Sequence, residues 1–378
     1  MKIVTVVGAR PQFIKAAAVS RAIRALNGET GHTHGHILEV LIHTGQHYDY
    51  LMSEVFFKEL GLSDPEHNLQ VGSGSHGVQT GLMLPRIEEV VAQEKPDWVI
   101  VYGDTNSTIA GALAAAKLHI SVAHVEAGLR SFNRWMPEEI NRVVTDHVSN
   151  LLFCPTETAV RNLAAEGIVQ GVHLVGDVMF DSLMYYLPMA EKRSAILRDL
   201  DLHSPFGLCT VHRAENTDDP NRLAGILKAL NRLAARGLPM MLPIHPRTQA
   251  RLKEHPAFTP HPRLRIIDPL GYGDILVLTK HAEVVLTDSG GLQKEAYLLG
   301  VRCVTLREET EWVETVEAGW NVLAGTDPER ILAAASLSSP STAARNLFGD
   351  SHASERIVSL LAAPQLAHRP SNARRTEN

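Results

Sequence analysis

The sequence predicts an α/β fold built of two doubly wound, Rossmann-like domains. Short apolar runs alternate with helix-length segments along most of the chain, which is typical of a parallel sheet with crossover helices. The alternation begins at Lys2–Val7 and starts again at Leu208–Val211, after a helical segment at about 180–200. The chain has 378 residues, which exceeds the size at which a single hydrophobic core usually stops growing. Two domains are therefore expected.

The predicted domain boundary lies near residue 180. Residues 1–180 form the first domain and 181–364 the second, and we expect the two to face each other across a cleft lined by their strand ends. The last predicted helix, at about Ser354–Ala363, can pack back on the first domain. The tail at 365–378 is polar and is predicted to be disordered.

Composition and charge exclude several classes of protein. An apolar fraction of 44% is that of a globular protein, and no apolar run reaches the roughly 18 residues that a membrane span needs. Neither a secretory signal nor a metal-site spacing is recognisable. The net charge of −6 gives no general attraction to nucleic acid or to anionic membranes. Cys154, Cys209 and Cys303 are scattered, which predicts reduced, buried thiols in a cytoplasmic protein.

The first predicted βα unit carries two cations. The strand Lys2–Val7 ends at Gly8, and a helix is predicted from about Gln12 to Ala25. Arg10 and Lys15 lie at the turn and in the first helical turns, where backbone N–H groups and the helix dipole favour an anion. Two solvated surface cations are an equally good interpretation of these residues alone.

Histidines alternate in the connection that follows this helix, at His32, His34 and His36. They lie in a glycine-rich segment without a carboxylate or cysteine partner, so a surface loop is the better interpretation and no metal site is predicted. The second strand is then predicted at Glu39–His43.

Two carboxylates follow neighbouring predicted strands of the first domain. Trp98–Tyr102 is a central strand, and Asp104 lies just after it. Ser121–Val125 is the next strand, and Glu126 with a glycine turn follows it at once. Because the carboxyl ends of parallel strands meet at one edge of a sheet, both carboxylates should reach one ligand crevice. Asp104 could instead only cap the following helix.

A helix with one polar face is predicted after these strands. Pro137 suits its first position. Glu138 and Arg142 are four residues apart and share a face that is free to meet a substrate. An apolar stripe on another face comprises Ile140, Val143, Val144 and Val148. An ordinary surface ion pair is the alternative for Glu138 and Arg142, and on these two residues alone it is the favoured one.

The second domain repeats the pattern of polar residues at strand ends. Predicted strands lead in turn to His212, His245, Tyr272 and Arg307. Between the last two, the strand Val284–Thr287 leads to an aspartate, then to a serine and two glycines at the start of a helix.

This serine and these glycines, Ser289, Gly290 and Gly291, form a candidate anion cradle. Backbone N–H groups at a helix start can approach a phosphate closely where no side chain obstructs them. A plain tight turn between strand and helix is the alternative.

Six motifs, in this order and at this spacing, resemble those of the non-hydrolysing UDP-N-acetylglucosamine 2-epimerases. They are GARPQFIK, GDTNST, HVEAGLRS followed by MPEEINR, TVHRAEN, PIHPRT and DSGGLQKE. The resemblance covers about residues 1–360. It implies two domains of the glycosyltransferase family B type, a cytoplasmic homodimer that acts in cell-surface polysaccharide biosynthesis, a UDP-sugar substrate, and inversion of the sugar at C2 without a redox cofactor.

The resemblance also implies a mechanism of elimination and re-addition. Loss of the C2 proton and departure of UDP give a 2-acetamidoglucal, and UDP adds back while the proton returns to the other face. A weakly acidic C2 proton needs a desolvated carboxylate as base and a second acid opposite it. The leaving diphosphate needs cations and oriented N–H donors.

The resemblance carries roles onto named residues. The catalytic set is Asp104, Glu126, Glu138, Arg142 and His212. The residues implied to hold UDP are Arg10, Lys15, Ser289, Gly290 and Glu295, the last through the ribose hydroxyls. The substrate-binding set is completed by His245, Tyr272, Gly291 and Arg307. The resemblance leaves open which carboxylate is the base and which is the acid.

Two segments depart from the family pattern. Members that a second substrate molecule activates tend to read QHREML or QHRQML where this chain has Gln46-His47-Tyr48-Asp49, so activation by substrate is not expected. The family's TERPE is TEWVE at 310–314, which removes an arginine near the nucleotide. Together with SFNR at 131–134, this is similar to branches that act on UDP-2,3-diacetamido-glucuronic acid. Arg134 could meet the carboxylate of such a sugar, or it could be a solvated loop residue.

Two other functions share the predicted fold. A glycosyltransferase would use the same nucleotide site but would need an acceptor. A nucleotide-sugar-binding sensor would need neither an acid nor a base.

Overall fold

The structure of the protein is a computed structural model, and it describes residues 1–29, 36–46, 57, 59–203, 205–244, 246–253, 258–340 and 345–363. The chain divides into two compact units. The N-terminal unit comprises Met1–Asp181 and 349–363, and the C-terminal unit comprises Ser182–Phe348. Some residues on which predictions were made lie outside the described ranges: His32, His34, His47, Tyr48, Asp49, His245 and the tail at 365–378.

The N-terminal unit is a parallel sheet with helices between its strands. In chain order its elements are β1 (Lys2–Val7), α1 (Arg10–Glu29), β2 (Leu38–His43), β3 (His67–Asn68), α2 (His76–Glu94), β4 (Trp98–Tyr102), α3 (Asn106–Lys117), β5 (Ser121–Val125), α4 (Pro137–Val148), β6 (Leu151–Cys154), α5 (Glu157–Ala165) and β7 (Val172–Leu174). The helix α6 (Val178–Arg193) then leads into the C-terminal unit.

The strands of this sheet are all parallel and lie in the order β3-β2-β1-β4-β5-β6-β7. All five residues of β4 are buried, as expected for a central strand covered on both faces. Val4 of β1 lies between Val40 of β2 and Val99 of β4. Strand order reverses between β1 and β4, and ligands of doubly wound sheets bind at this point, beyond the carboxyl ends of the strands.

The C-terminal unit has the same architecture. Its elements are α7 (Ile196–Asp199), β8 (Gly207–Thr210), α8 (Ala214–Thr217), α9 (Pro220–Ala235), β9 (Met240–Pro243), α10 (Pro246–Lys253), β10 (Leu264–Ile267), α11 (Tyr272–His281), β11 (Val284–Thr287), α12 (Gly290–Leu298), β12 (Arg302–Thr305), α13 (Val313–Glu317), β13 (Asn321–Leu323), α14 (Pro328–Ala335) and a 3₁₀ helix (Arg345–Phe348).

These strands are also parallel and lie in the order β10-β9-β8-β11-β12-β13. The order reverses between β8 and β11, so the residues after these two strands mark the expected ligand edge of this unit. Two parallel α/β sheets confirm the predicted fold class.

The last helix, α15 (Ala353–Ala362), belongs to the N-terminal unit and packs on α1. Its start is held by Asp181, whose carboxylate accepts from the backbone amide of Ala353 at 3.2 Å and from that of Ser354 at 2.6 Å. The chain thus leaves the N-terminal unit after Asp181 and returns to it at the end.

Two local features differ from the predictions. The short strand β3 was not predicted, because its two residues lie in a polar run. The helical segment predicted at about 180–200 is broken between α6 and α7. At the break, the hydroxyl of Ser194 donates to Asp274 and accepts from the amide of Ile196, which ends one helix and starts the next. Within the described residues, no helix has both the length and the apolar character that crossing a membrane requires.

Candidate active site

Glu126 follows β5 in a backbone conformation that side chains rarely adopt, with φ at +73°. The amides of Glu126 and Ala127 both donate to the carbonyl of Phe153 at 3.1 Å, which ties the turn to the neighbouring strand β6. A left-handed φ costs a non-glycine residue roughly 1–2 kcal/mol. Such strain persists only where the surroundings enforce it, and it concentrates at functional sites.

Lys15 of α1 forms an ion pair with Glu126, and both side chains are buried. Gly103, at the end of β4, lies beside this pair with φ at +62°. A Cβ atom at this position would lie 3.0 Å from Lys15 Nζ and 3.2 Å from Glu126 Oε2. Glycine therefore lets three chain segments meet at one point. Lys15 was predicted to hold UDP, and a contact of this kind stays a prediction.

Asp104 forms an ion pair with Arg142 of α4, whose Nε and Nη2 lie 2.9 and 2.8 Å from the oxygen Oδ2. Arg142 is 1% exposed, so the alternative of an ordinary surface pair does not hold for it. Asn141 donates to the backbone carbonyl of Asp104 at 2.9 Å. Thr105, not Asp104, caps α3, because its side chain accepts from the amide of Thr108. The capping alternative for Asp104 is therefore wrong.

Arg142 also pairs with Glu139, which the sequence did not point to. Glu139 is buried, and its carboxylate accepts from the amides of Ser131 and Phe132, both at 2.9 Å. This carboxylate therefore joins the loop before α4 to the arginine that holds Asp104. Glu138, predicted to be catalytic, is half-buried in the first turn of α4.

The polar face of α4 is turned inwards, which corrects the prediction that this face is free to meet a substrate. Its buried residues are Glu139, Asn141, Arg142, Thr145 and Asp146. Ile140 of the predicted apolar stripe is instead 46% exposed. Burial of so many polar groups is tolerable because ion pairs and backbone groups of the same unit neutralise and hydrogen-bond them.

A chain of four ionisable side chains also lies in this unit, and we call it the buried charge chain: Glu166, Arg130, Asp146 and His124. Arg130 contacts Glu166 through Nε at 2.7 Å and Asp146 through Nη1 at 2.7 Å. The other oxygen of Asp146 lies 2.7 Å from Nδ1 of His124. Nε2 of His124 lies 2.7 Å from the carbonyl oxygen of Gly103. Burial raises the pKa of Asp146, but hydrogen bonding and attraction to His124 and Arg130 outweigh it and leave that pKa lowered.

At the end of β1, the predicted anion site is organised by a side chain. The amides of Gly8 and Ala9 both donate to Oε1 of Gln12, at 2.8 and 3.1 Å. Arg10 begins α1 next to them and is half-buried. These two amides are thus engaged within the unit, and the binding of UDP by Arg10 stays a prediction.

In the C-terminal unit, Asp288 organises the residues after β8 and β11. Its carboxylate accepts from the amides of His212 and Arg213 and from the side-chain amide of Asn216, at 3.0–3.2 Å. It also lies 3.2 Å from Nδ1 of His212. Burial raises the pKa of Asp288, but attraction to His212 and these hydrogen bonds outweigh burial and lower that pKa to about 2. Asp288 thus fixes the ring of His212, a predicted catalytic residue.

The two glycines of the predicted anion cradle have different surroundings. A Cβ at Gly290 would lie 2.5 Å from Oε1 of Glu311 and 3.2 Å from Nε1 of Trp312. Among the described residues, a Cβ at Gly291 would meet only Ser289 Oγ, at 3.9 Å. Ser289 caps α12 by accepting from the amide of Leu292. Protein packing therefore explains Gly290, whereas the described residues leave room beside Gly291, and phosphate binding there stays a prediction.

Arg307 is completely buried, and its Nη1 lies 3.0 Å from Oε2 of Glu311. The other oxygen of Glu311 lies 3.8 Å from Nη2 of Arg213. Trp312, which stands where the family has an arginine, has the ammonium of Lys294 3.8 Å from its ring centroid. A lysine of α12 thus supplies a cation here, and a direct contact of Arg307 with substrate stays a prediction.

The other predicted substrate-binding residues of this unit are also buried. Glu295 lies in α12, and Tyr272 begins α11 with its ring against that of Tyr186. His245 lies outside the described residues. Among the described residues, no group of three or more His, Cys, Asp and Glu could hold a metal ion. The N-terminal unit thus carries two ion-paired carboxylates at neighbouring strand ends. In the C-terminal unit, anion binding at the start of α12 stays a prediction.

Comparisons with known proteins agree with this chemistry. The family profile described as UDP-N-acetylglucosamine 2-epimerase matches residues 30–362. A UDP-N-acetylglucosamine 2-epimerase homolog from Methanococcus maripaludis is 53% identical over 367 residues, which are 96% of this chain and 99% of the relative. A UDP-2,3-diacetamido-2,3-dideoxy-D-glucuronate 2-epimerase from Pseudomonas aeruginosa is 48% identical over the same shares of both chains.

Solved structures give the same picture. The UDP-GlcNAc 2-epimerase of Methanocaldococcus jannaschii, in complex with UDP-GlcNAc and UDP, matches with a TM-score of 0.88 and 44% identity, over 96% of this chain and 99% of that one. A Streptomyces glycosyltransferase matches with a TM-score of 0.54 and 14% identity, which shows a shared fold alone.

Proposed function

The chain belongs to the UDP-N-acetylglucosamine 2-epimerase family, and from this premise we propose that it interconverts a UDP-2-acetamido sugar and its C2 epimer. UDP-GlcNAc and UDP-ManNAc are the first pair to consider. The observation that carries the proposal is the pair of strand-end carboxylates, Asp104 and Glu126, each ion-paired within a strained or tightly packed turn. A carboxylate base is what removal of a C2 proton requires.

In the proposed reaction two bonds of the sugar break and one double bond forms. A carboxylate takes the C2 proton, the electron pair of that C–H bond forms a C1–C2 double bond, and UDP leaves with the electron pair of the C1–O bond. Re-addition of UDP, with a proton delivered to the opposite face of C2, gives the epimer. Atoms and electrons balance without a redox cofactor.

We assign the proton transfers to Asp104, Glu126 and Glu138, and the support of Asp104 to Arg142. The diphosphate is assigned to the start of α12 and to His212. An N-terminal helix end offers N–H donors and a positive dipole end, which stabilise the charge that develops on leaving UDP. Because Asp288 holds Nδ1 of His212, we assign Nε2 to the ligand.

Incubation with UDP-GlcNAc in D₂O tests the proposal. The expected products are UDP-ManNAc and UDP-GlcNAc that both carry deuterium at C2, detected by NMR without any acceptor. A glycosyltransferase would need an acceptor, and a hydrolysing enzyme would release free UDP and ManNAc. Absence of exchange with every UDP-2-acetamido sugar tried would overturn the proposal.

The diacetamido-uronate is a second candidate substrate, because the Pseudomonas aeruginosa relative is named for it. Arg134 is exposed in the loop that Glu139 anchors through Ser131 and Phe132. If Arg134 meets the sugar carboxylate, Arg134→Ala should lower kcat/KM for the uronate at least tenfold, about 1.4 kcal/mol, and leave UDP-GlcNAc turnover unchanged. Equal effects on both substrates would remove this candidate role.

We also propose that the protein acts as a homodimer in the cytoplasm. Helices α2 and α4 both pack on α3, and both carry exposed apolar side chains, Val78 and Leu82 on α2 and Ile140 on α4. Exposed apolar side chains that form a patch are typical of protein interfaces. Light scattering should give twice the chain mass of 41.4 kDa, and Leu82→Arg should lower it. The three buried free cysteines fit a reducing compartment.

A further inference from the structure

We propose that Asp146 is a positioning residue that holds together the two loops carrying the strand-end carboxylates. It acts on the β4 exit through the imidazole of His124 and on the β5 exit through a direct hydrogen bond. The inference deepens the proposed epimerase function and rests on it.

The geometry of the first connection assigns both ring protons of His124. Nδ1 faces the carboxylate of Asp146 and Nε2 faces the carbonyl of Gly103, both at 2.7 Å. A carbonyl oxygen can only accept, and an ionised carboxylate can only accept. His124 therefore donates through both nitrogens, and its ring carries a positive charge at a completely buried position.

The second connection reaches the loop of Glu126 directly. Oδ2 of Asp146 accepts from the amide of Gly128 at 3.2 Å, two residues after Glu126. Gly128 has φ at +80°, and a Cβ there would clash with the carbonyl of Ala159. This loop contains the left-handed Glu126, a conformation that the surroundings must enforce. The buried carboxylate of Asp146 is thus hydrogen-bonded, through His124 or directly, to the loops that follow β4 and β5.

Charge alternation explains how these groups remain charged inside the unit. The order along the buried charge chain is Glu166, Arg130, Asp146 and His124, which is negative, positive, negative and positive. Only Glu166 at the outer end is partly exposed, at 25% of its side chain. Each interior charge therefore has opposite charges as neighbours, which compensates part of the cost of removing it from water.

The buried charge chain reaches the backbone between the two strand-end carboxylates, so it can affect the reaction. His124 binds the carbonyl of Gly103, the residue before Asp104. The space beside Gly103 is narrow, because a Cβ there would lie 3.0 Å from Lys15 Nζ and 3.2 Å from Glu126 Oε2. A shift of the Gly103 carbonyl therefore moves both carboxylates relative to each other. A misplacement of about 1 Å can cost about 100-fold in rate without loss of binding.

Two substitutions of one histidine separate positioning from folding. The amide nitrogen of glutamine can take the place of Nε2, and that of asparagine can take the place of Nδ1. His124→Gln keeps the donor to Gly103, whereas His124→Asn keeps the donor to Asp146. We expect kcat for C2 exchange to fall about 100-fold in His124→Asn and Asp146→Asn, with KM within about threefold of wild type. His124→Gln should retain at least tenfold more activity than His124→Asn at a similar thermal midpoint.

A double-mutant cycle tests whether Asp146 acts through His124. In the His124→Asn background, Asp146→Asn should add only a small further loss, because the link to Gly103 is already cut and the amide oxygen of asparagine can still accept from the amide of Gly128. Glu157→Gln, at a side chain that is 79% exposed and lies outside the buried charge chain, is the control, and its kcat should stay within about threefold of wild type. UDP affinity, measured by calorimetry, should be unchanged in every variant.

Three results would overturn the inference while the wild-type enzyme remains active. The first is an equal loss of activity in His124→Gln and His124→Asn, and the second is an additive loss in the double mutant. The third is an NMR spectrum of ¹⁵N-labelled protein in which one ring nitrogen of His124 lacks its proton at neutral pH. Failure of the wild type to exchange C2 hydrogen would instead refute the proposed function.

Discussion

The guanidinium of Arg142 contacts one carboxylate oxygen of Asp104 through two nitrogens, Nε at 2.9 Å and Nη2 at 2.8 Å. The two residues are 38 positions apart in the sequence. The third nitrogen, Nη1, contacts Glu139. One buried arginine therefore connects the exit of β4 to the loop before α4, and this relationship sets the first prediction.

Arg142→Lys should reduce kcat for C2 exchange at least tenfold, although the positive charge is kept. A lysine offers one ammonium and cannot contact Asp104 and Glu139 in the same fixed geometry. Asp104→Asn should cost at least about 100-fold, which is the range of a lost acid or base. Deuterium incorporation at C2 is the measurement. Arg161→Lys, at a side chain that is 68% exposed, is the control, and an equal loss there would contradict the prediction.

Gly103→Ala should abolish most of the activity, and Gly61→Ala should not. Both glycines have left-handed φ values, +62° and +59°, so both substitutions carry the same backbone cost of roughly 1–2 kcal/mol. At Gly103 the new methyl group would press on Lys15 and Glu126, whereas no atom of the described residues lies within 4 Å of the methyl position at Gly61. Thermal midpoints and exchange rates of the two variants are to be compared. Matching activities would show that the close approach at Gly103 has no catalytic importance.

Gly290→Ala should lower the stability of the protein, whereas Gly291→Ala should leave stability unchanged and weaken UDP binding. A methyl group at position 290 meets Glu311 at 2.5 Å, so this variant should unfold at a lower temperature. At position 291 the nearest contact within the described part of the chain would be Ser289 Oγ at 3.9 Å, so stability should stay unchanged. If the diphosphate uses the open space there, Gly291→Ala should weaken UDP binding at least tenfold, about 1.4 kcal/mol, by calorimetry. Unchanged UDP affinity in Gly291→Ala would place the phosphates elsewhere.

Acid should destabilise the C-terminal unit through Asp288. Its pKa in the folded protein is about 2, below the unfolded value of about 3.9. A lowered folded-state pKa stabilises the fold above the unfolded pKa, and this contribution is lost as the pH falls towards 2. The expected loss from this group is about 2 kcal/mol between pH 5 and pH 2. The free energy of unfolding is to be measured by urea denaturation across this pH range. Asp288→Asn should lack this pH-dependent loss, whereas Asp199→Asn, at an exposed site, should retain it.

The sequence was sufficient to predict the alternation of strands and helices and to identify the residues that follow each strand. Asp104 and Glu126 lie at adjacent strand ends, as predicted, because hydrophobic runs define a parallel sheet well and such a sheet brings its strand ends to one edge. The reversal of strand order next to β4 required the structure, since tertiary pairing and not local pattern determines it.

The interior of the site could not be read from periodicity. In α4 the apolar and polar faces are both recognisable, and the usual rule buries the apolar one. Here Asp146 and Arg142 are buried and Ile140 is exposed, because partners far away in the chain neutralise the charges. Asp146 was missed for this reason. The sequence segments that had been singled out include Glu139, His124, Asp288 and Glu311, but no role had been given to these residues.

The N-terminal unit takes its final helix from residues that follow the whole C-terminal unit in the sequence, since α15 packs on α1 and is held by Asp181. A ribosome therefore delivers the whole C-terminal unit before the piece that completes the N-terminal one. Anyone who wishes to express the N-terminal unit by itself must splice codons 349–363 behind codon 181, because a clone that simply stops there omits a helix of its core.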